Sequence, residues 1–218
     1  MIKLIAFDFD GTITDTVDFC LHVYEKTFAK FMEHPPLRED IFQTFGMNEP
    51  GLLRHFMGYE CPEAEQYYYK LHRELHSEMC PDCFYGIRDL FEFIRAKNIK
   101  MVLLTGRSET TAEISLECLN IKHYFSEFMY GSAERNIKAE QLAELVERYN
   151  LKNDEIVYVG DTVSDALESQ SVNVKCLSAA WTESARVEEL EKVNPGLVFC
   201  SISKIQDYID KNSVAFSK

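Results

Sequence analysis

Short runs of apolar residues recur along the chain, and none is long enough to form a helix. The clearest four span residues 4–7, 101–104, 156–159 and 197–200. A continuous apolar run of this length is typical of a strand that is buried on both faces of a sheet. Weaker candidates at residues 128–130 and 172–177 would bring the sheet to five or six strands.

The intervals between these runs carry apolar residues at helical spacing. One such set is Ile87, Leu90, Phe91 and Ile94, and another is Leu142, Leu145, Val146 and Tyr149. Helices that alternate with buried strands are typical of an α/β fold, in which helices cover both faces of a parallel sheet. The pattern therefore predicts a doubly wound parallel sheet.

The stretch from residue 15 to residue 84 departs from this alternation, because it contains no convincing strand. One apolar stripe at helical spacing runs from Val17 to Met32, and a second set comprises Tyr67, Leu71, Leu75 and Met79. Helix breakers at residues 34–36 and 46–51 separate the helices. We therefore expect residues 15–84 to form a helical insert, and residues 1–14 and 85–218 to form the α/β domain.

The overall composition is that of an ordinary globular chain. Of the 218 residues, 46% are hydrophobic and 27% are charged, a balance that disordered and fibrous chains do not show. The formal net charge is −13, so phosphate backbones and anionic lipid surfaces would repel the protein at long range. Nucleic acid and membrane surfaces are therefore not expected as partners.

Several features of the sequence favour a cytoplasmic location. No strictly apolar run exceeds four residues, far below the ~20 needed to cross a bilayer. The first apolar run starts at Leu4 after a single lysine, which leaves no room for the three parts of a secretory signal. The seven cysteines are scattered and odd in number, as expected for reduced thiols.

Polar residues follow three of the strand candidates directly. Asp8 and Asp10 follow the first run, residues 105–106 (Thr-Gly) follow the second, and Asp161 and Asp165 follow the third. Ligands of open parallel sheets bind at the carboxyl ends of the strands, so these carboxylates are expected to crowd one edge. Their mutual repulsion in a partly dry site favours a bound cation. An all-oxygen site of this kind is typical of Mg²⁺.

Three motifs carry this chemistry together: DFDGTI at residues 8–13, LLTGR at 103–107 and VGDTVSD at 159–165. With this combination the chain resembles the haloacid dehalogenase-like superfamily. The helical insert after the first motif is similar to the cap of its phosphoglycolate phosphatase and β-phosphoglucomutase branch. The resemblance spans nearly the whole chain. It implies a Rossmann-like core, a helical cap at residues 15–84, and phosphoryl transfer as the reaction.

The resemblance also implies a role for each motif residue. Asp8 would attack phosphorus and become an aspartyl phosphate, while Asp10 would protonate the leaving oxygen and later activate water. The Thr105 hydroxyl and the Gly106 amide would hold the oxygens of the transferring phosphoryl group.

The same resemblance implies the metal ligands. The Asp8 carboxylate, the Asp10 backbone carbonyl and Asp161 would ligate Mg²⁺. Asp165 would lie just outside the ligand set and orient a water molecule or the site lysine.

That lysine neutralises phosphate charge in the superfamily, and Lys138 is the candidate here. It lies between the strand candidate at 128–130 and a helix that starts near Ile137, although Ala139 stands where a proline commonly follows the lysine. Lys122 and Arg135 are weaker alternatives. The alternative interpretation, without a functional role, is that Lys138 is a solvated lysine in the first turn of a helix.

Residues 45–51 match the place where related caps reach down to the substrate. Met47, Asn48 and Arg54 are therefore candidates for contact with the leaving group. For each of them taken singly, a helix connector without ligand contact is nearly as good an interpretation.

A second departure from similar proteins lies at the hinge after the insert, where Tyr85-Gly86 replaces a proline-glycine pair.

The insert contains four residues that could in principle ligate zinc. His72, His76, Cys80 and Cys83 have a spacing that zinc ligation could use if one helix ran straight into a turn. The CxxC pair occurs only once, and the segment lies where the insert should rejoin the α/β domain. A structural role for these four side chains is therefore favoured.

The leading hypothesis is a Mg²⁺-dependent phosphatase that acts on a small phosphorylated metabolite, either a phosphoglycolate-like monoester or pyrophosphate. A phosphomutase is the alternative enzyme, but the insert offers no obvious basic residue beside Gly46 to hold a second phosphate. A non-catalytic phosphate-binding module is less favoured, because it has no need for all four aspartates. The sequence is silent on the oligomeric state.

Overall fold

The computed structural model describes residues 1–183 and 185–213, and these contain one sheet of six parallel strands. The strands are β1 (Leu4–Phe7), β2 (Lys100–Leu104), β3 (Glu127–Met129), β4 (Ile156–Gly160), β5 (Lys175–Ala179) and β6 (Val198–Phe199). Their spatial order is β3-β2-β1-β4-β5-β6. The doubly wound α/β fold is therefore confirmed, with β1 in the interior of the sheet.

Ten α-helices lie within the same described residues. They are α1 (Val17–Phe31), α2 (Arg38–Gln43), α3 (Glu49–Met57), α4 (Pro62–Met79), α5 (Ile87–Ala96), α6 (Glu109–Leu119), α7 (Lys138–Arg148), α8 (Val163–Ser171), α9 (Val187–Val193) and α10 (Ile202–Asn212). No helix in the described parts of the chain has both the length and the apolar character to span a membrane.

Helices on both faces of the sheet explain why the strands read as unbroken apolar runs. In β1, Ile5 and Phe7 belong to a core formed with α5 and α10, whereas Leu4 and Ala6 belong to a second core formed with α7 and α8. Successive side chains of a strand point to opposite faces. Every position of β1 is therefore buried and apolar.

The strand predictions are confirmed with shifts at their ends. β5 begins at Lys175 instead of residue 172, because residues 172–174 close the preceding helix α8. Asn173 takes a left-handed backbone conformation there, with φ of 58°, and the Val174 amide donates to the Ser169 carbonyl oxygen. Branched apolar residues in such a helix-ending turn are easily mistaken for the start of a strand.

Residues 15–84 contain α1 to α4 and a core of their own. Phe19, Tyr24 and Phe28 of α1 pack there with Leu52 of α3 and Tyr68 of α4. The apolar stripe predicted along α1 is therefore confirmed.

The stripe predicted for α4 is displaced by one position from the most buried face. That face carries Ala64, Tyr68, His72 and His76, while Leu71 and Leu75 of the predicted set are partly buried against the same core and Met79 is exposed. The two histidines pack as aromatic rings against Phe19, with ring centroids 4.6 Å and 5.5 Å from it. Burial lowers the pKa of both histidines. A pattern that counts histidine as polar cannot find this face.

The two chain segments that join residues 15–84 to the rest of the molecule run side by side. The Phe84 amide donates to the Ile13 carbonyl oxygen at 2.9 Å, and the Thr14 hydroxyl donates to the Asp82 carbonyl oxygen at 2.9 Å. The insert therefore leaves and rejoins the α/β part at one place, close to the end of β1.

Candidate active site

The sheet topology brings three motif segments to one edge. Phe7 at the end of β1 is aligned with Leu103 of β2 on one side and with Val159 of β4 on the other. Because the three strands are parallel, the residues that follow them emerge next to one another. Asp8 thus lies between the segment at 105–107 and the segment at 161–165.

Asp8, Asp161 and Asp165 form an acidic cluster at this edge. One carboxylate oxygen from each lies within 4.8 Å of the other two. Asp8 and Asp165 are buried, and Asp161 is partly exposed. Among the described residues this is the only group of three or more acidic, histidine or cysteine side chains close enough to share a metal ion. The four side chains at 72, 76, 80 and 83 make no such group.

Lys138 bridges two members of the acidic cluster. Its Nζ donates to Asp8 Oδ2 at 2.8 Å and to Asp165 Oδ1 at 2.7 Å. The alternatives lie elsewhere, since Lys122 pairs with Glu113 and Arg135 pairs with Glu140 at exposed positions. Of the three candidates, only Lys138 lies in the acidic cluster.

Asp165 is held so that it positions this lysine. Its Oδ1 accepts from Lys138 and from the Tyr158 hydroxyl at 3.1 Å, and its Oδ2 accepts from the Thr162 amide and hydroxyl. Thr162 in turn caps α8 and accepts from the Asp165 amide. A carboxylate has about four acceptor positions, and all four of them are used here by protein donors.

The electrostatics of the site reflect burial and crowding. Burial raises the pKa of Asp8 to about 7, and repulsion from Asp165 adds to the effect, while Lys138 opposes it. Burial and the charges of Asp165 and Asp8 likewise raise the pKa of Asp161. The two carboxylates of the cluster that are not saturated by protein donors therefore favour the addition of positive charge.

These residues fit a hard divalent cation. Asp161 forms no ion pair among the described residues, and its one side-chain contact there is the Thr12 hydroxyl, 3.4 Å from Oδ1. Its oxygens therefore retain acceptor capacity beside Asp8. Carboxylate oxygens without sulfur or imidazole neighbours suit Mg²⁺ better than softer metals.

A glycine turn allows Asp161 to approach the first motif. Gly11 has φ of +69°, and a Cβ atom at this position would lie 2.2 Å from Asp161 Oδ2. An L-residue with a side chain would be strained by the backbone angle and would also displace the carboxylate. The glycine of the DFDGTI motif is thus required by the geometry of the cluster.

Thr105 and Gly106 follow β2 directly and lie beside Asp8. Thr105 is fully buried, and its Oγ1 accepts a hydrogen bond from the Arg107 amide at 3.3 Å. No atom lies within 4 Å of the position that a Cβ of Gly106 would take. The space on this side of Gly106 is therefore open.

Asp10 points toward a buried arginine. Arg107 Nε donates to Asp10 Oδ2 at 2.9 Å, and Arg107 Nη2 donates to Asp10 Oδ1 at 2.5 Å. The Thr16 hydroxyl also donates to Asp10 Oδ1. Although burial acts in the opposite direction, Arg107 and Thr16 lower the pKa of Asp10. Asp10 is therefore ionised in this arrangement.

Residues around the start of α3 are one of the places where the insert contacts the α/β part. Asn48 caps α3 by accepting from the Gly51 amide at 3.2 Å, and it donates to the Gly131 carbonyl oxygen at 3.0 Å. Arg54 binds the Ala133 carbonyl oxygen and Glu134. Both side chains thus dock the insert on the loop after β3. These contacts occupy the polar groups of Asn48 and Arg54, which the sequence predicts to contact a leaving group.

Sequence reasoning assigned no role to Arg107 or Glu49, which the structure places in the same region. Glu49 is buried and binds the start of α6. The signal for Arg107 was available, because a cation stands two positions after Thr105 in the second motif. Glu49 follows Asn48 and, from the sequence, is interpreted as an ordinary glutamate in the first turn of α3. No sequence pattern indicates its partners in α6.

Comparisons with known proteins agree with this fold and with these motifs. The family model described as "Haloacid dehalogenase-like hydrolase" matches residues 5–179, which is most of the chain. A Clostridium perfringens protein that is provisionally named a pyrophosphatase PpaX is 25% identical over 213 residues, covering 97% of this chain and 99% of its own. The pyrophosphatase PpaX of Bacillus mycoides is 22% identical, covering 94% and 95%.

Solved structures show the same fold at low sequence identity. A haloacid dehalogenase-like family protein from Streptococcus pneumoniae superimposes with a TM-score of 0.72 and 21% identity. The match covers 95% of this chain and 98% of that one. At this identity the likeness supports the fold alone.

Proposed function

Because the chain belongs to the haloacid dehalogenase-like hydrolase family, we propose that it is a Mg²⁺-dependent phosphatase that hydrolyses a small phosphorylated metabolite. The observation that carries the proposal is the ion-paired group Asp8–Lys138–Asp165 beside Asp161. A carboxylate next to a fixed cation at the carboxyl end of parallel strands is suited to attack on a phosphoryl group.

Asp8 is the proposed nucleophile. Lys138 binds its Oδ2, and no hydrogen bond among the described residues engages Oδ1, which leaves that oxygen free to attack phosphorus. The new bond joins Asp8 Oδ1 to phosphorus as the bond from phosphorus to the leaving oxygen breaks. Water then attacks the phosphorus of the aspartyl phosphate, which releases inorganic phosphate and restores Asp8.

The remaining residues stabilise and shuttle charge in these two steps. Lys138 offsets the negative charge of the phosphoryl group, and the Thr105 hydroxyl with the Gly106 amide holds its oxygens. Asp10 transfers a proton to the leaving oxygen and later removes one from water. It needs a proton for the first of these tasks, and Oδ2 has room for that proton, because Arg107 Nε is its one hydrogen-bond donor among the described residues.

In this proposal Asp8, the Asp10 backbone carbonyl and Asp161 would hold the Mg²⁺, and the proximity of the Asp8 and Asp161 carboxylates supports this set. A bound Mg²⁺ would withdraw charge from the phosphoryl oxygens. Asp165 stays outside this set because protein donors occupy its oxygens, and its role is to hold Lys138.

Residues 15–84 act in this proposal as a cap, with residues 1–14 and 85–218 as the core that carries the chemistry. The separate apolar cluster of α1, α3 and α4 and the paired connections near Thr14 support this division. The docking of Asn48 on Gly131 supports a cap that covers the carboxyl ends of the strands.

Pyrophosphate and small monoesters such as phosphoglycolate are the proposed substrate class. The support for pyrophosphate is the name shared by the relatives from Clostridium perfringens and Bacillus mycoides. The support for a monoester is the cluster of charged groups around Asp8 and Lys138, which is sufficient for one phosphoryl group.

The test is phosphate release from pyrophosphate and a panel of phosphorylated metabolites, with Mg²⁺ and with EDTA. We expect Mg²⁺-dependent release from at least one of these compounds and none with Asp8→Asn. Asp154→Asn is the matched control, because Asp154 is exposed before β4 at the opposite edge of the sheet. Full activity of Asp8→Asn would refute the proposal, and phosphoryl transfer to a sugar without phosphate release would indicate a mutase.

A further inference from the structure

Arg107 is a buried cation whose donors are all committed, and the proposed reaction assigns it no role. Its side chain is 3% exposed and lies over the Phe9 ring, 4.6 Å from the ring centroid. A buried guanidinium is expensive to desolvate unless every donor finds a partner. The partners of Arg107 therefore indicate what it does.

One side of the guanidinium holds Asp10. The pairs Nε to Oδ2 and Nη2 to Oδ1 form a two-point contact between the planar guanidinium and the planar carboxylate. Such a contact fixes the orientation of the carboxylate as well as its position. Asp10 still keeps 28% of its side chain exposed, so the fixed carboxylate borders open space.

The other side of the guanidinium is anchored on three helices. Nη1 donates to the Ser115 hydroxyl of α6 at 2.7 Å and lies 3.2 Å from His72 Nε2 of α4. Nη2 donates to Cys20 Sγ of α1 at 3.3 Å. Cys20 and His72 belong to the insert, whereas Ser115 belongs to the α/β part. The arginine thus connects Asp10 to both parts of the molecule.

We propose that Arg107 is a positioning residue, which orients the Asp10 carboxylate toward the leaving oxygen and ties that orientation to the seating of the insert through Cys20 and His72. The inference rests on the proposed function, because it needs Asp10 to act on the leaving group. It goes beyond that function, because it assigns a task to Arg107, a residue that acts on the reaction only through Asp10.

Lysine cannot replace this geometry. An ammonium group is a point charge and cannot bind both carboxylate oxygens in one plane while it also reaches Ser115 and His72. Arg107→Lys is therefore expected to keep the charge and lose most of the positioning. A purely structural ion pair would tolerate this exchange better than a positioning pair.

The experiment compares two esters that differ in leaving group. Phenolate is a more basic leaving group than 4-nitrophenolate, so phenyl phosphate depends on proton donation by Asp10 more than 4-nitrophenyl phosphate does. For Arg107→Met with Mg²⁺ we expect kcat/KM on phenyl phosphate, which reports the step in which the leaving oxygen departs, to fall at least about 30-fold, part of the about 10²–10⁴-fold that general acid–base catalysis contributes. On 4-nitrophenyl phosphate the expected loss of kcat/KM is about threefold or less.

A double-mutant cycle isolates the action through Asp10. In the Asp10→Asn background, Arg107→Met should lower kcat/KM on phenyl phosphate by no more than about twofold further, because the group it positions is already disabled. The matched control is Arg88→Met. Arg88 joins Asp82 near the hinge to the Leu119 carbonyl oxygen of α6, so its loss removes an arginine bridge of similar kind without touching Asp10.

Because Arg107→Met also affects folding, a milder variant accompanies it. His72→Phe retains the ring that packs on Phe19 and removes the nitrogen beside Arg107. We expect it to lower kcat/KM on phenyl phosphate about threefold more than on 4-nitrophenyl phosphate, as one lost hydrogen bond would.

Three outcomes separate the possibilities. Selective loss on phenyl phosphate together with a non-additive cycle supports the inference. Equal losses on both esters, or losses that multiply with Asp10→Asn, overturn it and leave Arg107 as a structural ion pair. If wild-type protein with Mg²⁺ hydrolyses neither ester, nor pyrophosphate, nor any phosphorylated metabolite of the panel, the proposed function fails, and the inference fails with it.

Discussion

Glu49 and Thr111 join the insert to the α/β part by a buried hydrogen bond, in which the Thr111 hydroxyl donates to Glu49 Oε1 at 2.5 Å. The other carboxylate oxygen accepts from the Ser108 amide at 2.7 Å. Ser108 precedes α6, so Glu49 supplies from outside the capping acceptor that the start of this helix needs. A residue of α3 thereby stabilises the helix that follows the second motif.

We predict that Glu49→Ala lowers the free energy of unfolding by about 1–3 kcal/mol, because the Ser108 amide and the Thr111 hydroxyl lose their buried acceptor. Urea unfolding measures the change, and hydrogen exchange should show faster exchange at Ser108. The exposed Glu78 in α4 is the control site, and Glu78→Ala should change stability by less than about 0.5 kcal/mol. Equal effects at the two sites would contradict the prediction.

Asn48→Ala should lower activity on every ester by a similar factor, up to about tenfold, because the side chain docks the insert through one hydrogen bond to Gly131. Its kcat/KM across the ester panel is the measurement. Asn48→Asp separates the two tasks, since it keeps an acceptor for the Gly51 amide and loses the donor to Gly131. A change in the order of preferred esters would instead show that Asn48 contacts the leaving group.

Gly11→Ala should raise the Mg²⁺ concentration needed for half-maximal activity by about tenfold or more, because the methyl group displaces Asp161 from the acidic cluster. Gly58→Ala is the matched control. Gly58 also has a positive φ, +78°, but no atom lies within 4 Å of its Cβ position. Both variants should lose about 1–2 kcal/mol of stability, and only Gly11→Ala should change the metal requirement.

EDTA should stop phosphate release, and added Mg²⁺ should restore it. The double variant Cys80→Ser with Cys83→Ser should show the same requirement, because these cysteines belong to no metal-binding group among the described residues. Metal analysis of the purified protein provides the check. Stoichiometric zinc that disappears in the double variant would contradict this assignment.

His76 should make the protein less stable in acid. Burial lowers the pKa of His76 from 6.5 to about 4, so between these values the unfolded chain binds a proton that the folded chain does not. Stability is therefore lost as the pH falls through this window, by about 2–3 kcal/mol at pH 4.5.

His76→Leu should remove that part of the acid sensitivity. It also deletes two buried ring nitrogens that have no hydrogen-bond partner in the described structure. Urea unfolding at pH 7.5 and at pH 4.5 gives the difference to compare, and His34→Leu at an exposed position is the control. An unchanged difference in His76→Leu would show that another group causes the acid sensitivity.

The sequence predicts those parts of the fold and site that depend on backbone periodicity. Buried strands are recognisable as apolar runs, and parallel pairing brings their ends together, so Asp8 and Asp161 could be placed together from the sequence. The choice of Lys138 depended on the resemblance to the haloacid dehalogenase-like superfamily. The face of α4 was misplaced because neutral His72 and His76 pack as aromatic rings.

Contacts between the insert and the α/β part could not be predicted in this way. The bonds of Arg107 to Cys20 and His72 join residues 87 and 35 positions apart, and they depend on how the helices are rotated. Periodicity fixes which face of a helix is apolar, but it does not say which polar side chain meets a partner on another element.

The paired connections at Ile13–Phe84 and Thr14–Asp82 hold the two ends of the insert side by side. With respect to chain connectivity, the insert is therefore one long loop between β1 and the rest of the α/β part. The entropy of closing a loop rises only slowly with its length. A different helical unit, or a short linker, could therefore join the same two points without disturbing β1 or its neighbours. Any replacement would also have to supply partners for Arg107 and Ser108, which His72, Cys20 and Glu49 of the insert provide here.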